Sequence, residues 1–189
     1  MPLKFNLVQI RKIENIARPT KKGASMKLRL FVFSLLPLVA MFAVTLNVRA
    51  ADSTRPRPTD LYDESADGKQ QLAGALELAQ KENKNILLQF GANWCGWCHK
   101  LHTLFDTDKM IHSKLDKEFI VVMVDMNKGH NNDFAAKYGA DKLGLPCIVI
   151  VNSAGKHLAT KNTSELEEGD HHSPEKVLAF LNQWSPKKT

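Results

Sequence analysis

Ile86-Leu87-Leu88-Gln89-Phe90 runs directly into Gly91-Ala92-Asn93-Trp94-Cys95-Gly96-Trp97-Cys98, after which Cys98, Leu101 and Phe105 recur at helical spacing. The short apolar run has the length of a buried strand, and the residues after it have the period of a helix. A Cys-x-x-Cys therefore sits at a strand-to-helix junction. There, free N–H groups and the positive end of the helix dipole stabilise a thiolate at Cys95, lowering its pKa and making it a nucleophile. Cys98, one turn further in, can close the ring, so a mixed disulfide at Cys95 is resolved by Cys98 in a reversible two-electron exchange. The bland alternatives are a structural disulfide or half of a zinc site. Zinc needs two more ligands, and the sequence has no second Cys-x-x-Cys.

Outward from the junction, Leu72, Ala75, Leu76 and Ala79 predict a helix over 68–83. Phe119 to Val124 is a β-branched strand ending at Asp125, and 131–138 is a short helix. Gly144-Leu145-Pro146 leads into a strand, Cys147 to Val151, which turns at Asn152-Ser153-Ala154-Gly155 and returns as His157 to Thr160. Ser173 and Pro174 start the last helix as N-cap and first helical residue, with Val177, Leu178 and Leu181 facing inward. The order α-β-α-β-α-β-β-α, without repeats, implies an α/β fold with a mixed sheet covered by helices.

Phe90-x-Ala92-x-Trp94-Cys95-Gly96-x-Cys98-x-Lys100, with Gly144-Leu145-Pro146 following, resembles the thioredoxin superfamily, in element order from about Gln70 to Trp184. It is most similar to the secreted branch that includes the C-terminal domain of the bacterial disulfide-interchange transmembrane reductase. The resemblance implies a three-layer fold, with a mixed central sheet and helices on both faces. It implies a thiol-disulfide oxidoreductase whose catalytic residues are Cys95 and Cys98 and whose only redox centre is their disulfide, without metal or other cofactor. Pro146 would be a cis-proline facing the dithiol, and the Leu145 backbone would pair with an incoming substrate strand. Trp94, with Gly96 and Trp97, would complete the substrate-binding rim. Partners would be protein thiols and disulfides and a membrane or soluble redox partner, with the protein itself a monomer. The family's buried acid in the central strand is here Gln89, and Val121 or Val122 stands where its lysine is expected. Proton transfer must then use water, His99 or another group. The intervening dipeptide is Gly96-Trp97 where Gly-Pro is usual.

Other chemistry competes at the same residues. Cys95-x-x-Cys98-His99 is also the attachment signature of a c-type haem, and His102 with both cysteines has the ligand types of a copper or zinc site. A metal- or haem-delivery module is thus the second reading. Cys147 reads as a small buried strand residue; its closeness to Pro146 also allows an alternative disulfide with the dithiol. His171-His172 and the acids Glu165, Glu167, Glu168 and Asp170 read as a solvated polar loop. Met110, Met123 and Met126 read as core or rim packing.

Charge separates the chain into parts. Of 26 Lys and Arg residues, residues 1–50 hold nine, against the single acid Glu14. The remainder is slightly acidic, which excludes an electrostatic case for binding nucleic acid. Leu30 to Leu46 is uncharged, preceded by Lys27 and Arg29 and followed by Val48-Arg49-Ala50. This pattern predicts a signal peptide cleaved after Ala50, and Met26 would begin a compact one. Retained, residues 30–48 would tether the protein to a membrane. The domains are then an N-terminal extension and signal peptide (1–50), a linker (51–67, polar with two prolines) and the folded domain (68–189). Export, most simply to a periplasm, follows from the leader.

Overall fold

The computed structural model describes residues 60–187. The leader, its cleavage site and Met26 lie outside the described residues. Helix α1 (Gly68–Glu82) begins where the Asp67 carboxylate accepts the backbone N–H groups of Lys69 and Gln70, and ends at Asn83 in the left-handed region (φ 51°). Strand β1 (Asn85–Gly91) leads into α2 (Gly96–Thr107). A further helix, α3 (Lys109–Glu118), precedes β2 (Phe119–Asp125). The short α4 (Asn132–Ala136) follows, then β3 (Cys147–Val151), β4 (His157–Asn162), the small strands β5 (Glu167–Glu168) and β6 (His171–His172), and α5 (Pro174–Gln183).

The main sheet has the order β2-β1-β3-β4, with β1 parallel to β2 and antiparallel to β3, and β3 antiparallel to β4. Alternation along the strands divides the core in two. Ile86, Leu88, Phe90, Val122, Val124, Val149 and Val151 meet α1 and α4, while Leu87, Phe119, Ile148 and Ile150 meet α2, α3 and α5. This is the expected three-layer thioredoxin-like fold, with β1 at its centre and the Cys-x-x-Cys at its exit.

The structure departs from the sequence reading at three places. Helix α3 was not foreseen. Asp108 is extended (φ −77°, ψ 117°), ends α2, and caps α3 by accepting the N–H groups of Met110 and Ile111. The expected polar loop before α5 contains the β5–β6 hairpin, turning at Gly169 (φ +62°), and buries His172. Residues 60–67, read as the end of a linker, lie against the domain: Tyr62 is 1% exposed.

Candidate functional site

A disulfide joins Cys95 and Cys98 across the first turn of α2, with a Cα–Cα distance of 5.2 Å. Cys95 is the N-cap of α2, and its sulfur accepts the Cys98 backbone N–H at 3.2 Å. That contact, with the helix dipole behind it, favours negative charge on the Cys95 sulfur once the bond opens. Cys95 is 5% exposed and Cys98 is 0%, so Cys95 is the sulfur nearer solvent and Cys98 faces the core. Together with Tyr62, Ala92 and Met123 they form a small cluster at the end of the sheet, against which Trp97, Val121 and Leu145 pack.

The Leu145–Pro146 peptide bond is cis. Pro146 is buried, and its carbonyl accepts the Thr163 hydroxyl. Leu145 is half-buried and packs against the cluster that holds both cysteines. Trp94 lies at the rim, 69% exposed, with its indole N–H donated to the Asn127 side-chain oxygen at 3.1 Å. Gly96 is exposed beside it. The Trp97 ring is held between two neighbours: the Lys100 ammonium, 4.4 Å from its centroid, and His172, whose ring meets it edge-on at 5.3 Å. Lys100 also donates to the Asp170 carbonyl, fastening the hairpin to α2.

The residues behind the second reading are engaged elsewhere. His99 Nε2 lies 2.7 Å from the Asn93 carbonyl and donates to it. His102 Nε2 is 3.3 Å from Asp106, and burial is the main force holding its pKa below the usual histidine value. Cys147 belongs to a different buried cluster from the dithiol. It is buried in the cluster on the α1 side, and burial pushes its thiol up to about 12. Among the methionines, Met123 packs at the dithiol and Met126 against the core, but Met110 is exposed.

Sequence reasoning passed over Tyr62 and Asn93, and it read His172, which is buried, as part of a solvated loop. Tyr62 lies in a polar stretch without periodicity, and nothing in the order of residues ties it to a site about thirty residues on. Asn93 was an unassigned position within the motif. Its side-chain oxygen accepts the N–H groups of Leu61 and Tyr62, and its amide donates to the Tyr62 carbonyl.

Residues 67–153 match the family described as thioredoxin-like. A disulphide isomerase from Xylella fastidiosa Temecula1 is 33% identical, with a TM-score of 0.58, over 65% of this chain and 95% of that one. The chain belongs to the thioredoxin-like family. Among curated relatives, the thiol:disulfide interchange protein DsbD of Actinobacillus pleuropneumoniae is 32% identical over 108 residues, and a protein disulfide-isomerase of Medicago sativa is 33% identical over 78. These alignments cover 57% and 41% of this chain but only 17% and 15% of those proteins. Among the described residues no helix is long and apolar enough to cross a membrane.

Proposed function

We propose that this protein is an extracytoplasmic thiol-disulfide oxidoreductase that exchanges disulfides with protein substrates through Cys95 and Cys98. The observation that carries this reading is the asymmetry of the pair: Cys95 caps α2 and is the slightly more exposed of the two, and Cys98 is fully buried with its own N–H on the Cys95 sulfur. A substrate thiolate attacks the Cys95 sulfur, forming a mixed disulfide and releasing the electron pair onto Cys98. In the opposite direction, a Cys95 thiolate attacks a substrate disulfide, and Cys98 then attacks Cys95 to release the reduced substrate. Trp94, Gly96, Trp97 and the Leu145–Pro146 loop surround this centre and supply the docking surface. The backbone of Leu145 would pair with an extended substrate segment. The names of the relatives, a disulphide isomerase and an interchange protein, agree with this chemistry. The centre needs no metal or organic cofactor. The basic, apolar and small-residue leader supports export, most simply to a periplasm, where a membrane or soluble partner resets the monomer's redox state.

The test is substrate trapping. Cys98→Ser should accumulate mixed disulfides with extracytoplasmic proteins, and Cys95→Ser should neither trap nor exchange. Equal trapping by both variants would overturn the assignment of roles. N-terminal sequencing of the exported protein should begin at or near Ala51.

A further inference from the structure

Gln89, the residue in place of the family's buried acid, is fully buried. Its amide nitrogen donates to the Tyr62 hydroxyl at 2.8 Å, while its amide oxygen has no hydrogen-bond partner among the described residues. Tyr62 reaches this depth because Asn93 grips its backbone, accepting the N–H groups of Leu61 and Tyr62 at 2.9 Å each and donating to the Tyr62 carbonyl at 3.0 Å. Gly91 makes the room. A Cβ at that position would lie 2.1 Å from the Tyr62 hydroxyl oxygen and 2.8 Å from the Cys98 sulfur. Hydroxyl and sulfur thus both border the space over Gly91, within one packed cluster.

We propose that the Tyr62 hydroxyl is the hydrogen-bond donor that stabilises the Cys98 thiolate, in place of the missing acid-base pair. This rests on the oxidoreductase reading. When a substrate thiolate attacks Cys95, the substrate–Cys95 bond forms, the Cys95–Cys98 bond breaks, and the electron pair leaves on Cys98. That sulfur is sealed from water, so its charge must be met by a protein dipole. The Tyr62 oxygen already accepts from Gln89, which makes its O–H a stronger donor. In the reverse step the same hydrogen bond raises the fraction of Cys98 present as thiolate, ready to attack Cys95. The hydroxyl keeps its proton throughout, since burial holds Tyr62 well above the usual tyrosine pKa. The charged group acting on it is Asp125 at the end of β2, itself influenced by His130 and Glu64.

Titrating Cys98 in the Cys95→Ser protein tests this directly, by thiolate absorbance and alkylation rate. Adding Tyr62→Phe keeps the ring and removes the donor. The thiolate fraction at a fixed pH below the midpoint should fall about tenfold, the effect of losing one hydrogen bond to a charged sulfur. Disulfide opening by dithiothreitol in the protein that keeps both Cys95 and Cys98 should slow about as much. An unchanged Cys98 titration overturns the proposal. A second measurement leaves the packing intact: the chain has two tyrosines, so fluorotyrosine labelling of the Cys95→Ser protein gives two fluorine signals, with Tyr138 as control. The Tyr62 signal should move with the Cys98 midpoint; a signal that stays still overturns the proposal. Neither titration uses a substrate, so absence of protein disulfide exchange in the wild type would sink the oxidoreductase reading separately.

Discussion

The Trp97 indole of the Cys-Gly-Trp-Cys turn stands edge-on to the His172 imidazole, with ring centroids 5.3 Å apart at an interplanar angle of 89°. His172 is 2% exposed, and neither ring nitrogen has a hydrogen-bond partner among the described residues. The β5–β6 hairpin thus reaches the redox turn through a buried, neutral histidine. The variable dipeptide of the motif is anchored by a segment some seventy residues away.

This contact predicts a pH dependence of stability. Burial first, then the charges of Lys100 and His171, push His172 down from 6.5 to about 4. Because the folded-state pKa is the lower one, the unfolded chain takes up the proton first. Stability is full above the ordinary value of about 6.5 and is lost as pH falls toward about 4. Urea unfolding at about pH 7 and pH 5 should show a loss of about 1 kcal/mol in the wild type. In His172→Phe, which keeps the edge-on ring, that loss should shrink. Equal pH slopes in the two proteins would show that His172 is not the titrating group.

A second prediction concerns Cys147. With the thiol pushed up to about 12 inside the α1-side cluster, it should resist alkylation in the native reduced protein and react only after unfolding. Cys147→Ala should cost about 1 kcal/mol for the small cavity and leave the Cys95–Cys98 exchange rate unchanged. Mass spectrometry of the alkylated native protein decides the first point, and labelling of Cys147 at the rate of Cys95 would refute it.

The parts of the fold legible from the sequence were those with strong periodicity or fixed chemistry. The continuous apolar runs of β1, β2 and β3 marked them as buried strands, and Cys95 with Cys98 marked the candidate site. The α2–α3 break was hidden because Asp108 serves as a helix C-cap and an N-cap at once, a role that helical spacing does not display. Tyr62 and His172 were hidden for another reason. Each lies in a segment of polar composition, and its burial depends on distant partners, Gln89 and Asn93 for one and Trp97 for the other. Composition averages such residues away, while tertiary packing singles them out.

The last prediction separates docking from chemistry at Trp94. Trp94 is 69% exposed, and its indole N–H is donated to Asn127. A side chain so exposed adds little to folding, so Trp94→Ala should change stability by no more than about 0.5 kcal/mol. An aromatic anchor at the rim would be spent on binding, where removing one typically costs about 1–2 kcal/mol. Exchange with a folded or peptide substrate should therefore slow about tenfold, mainly through KM. Reduction of the Cys95–Cys98 bond by dithiothreitol, too small to span the rim, should keep its wild-type rate. Parallel stopped-flow measurements with the two kinds of thiol give the ratio directly. If Trp94→Ala slows both reactions equally, Trp94 shapes the dithiol itself; if it slows neither, protein substrates dock on another part of the rim.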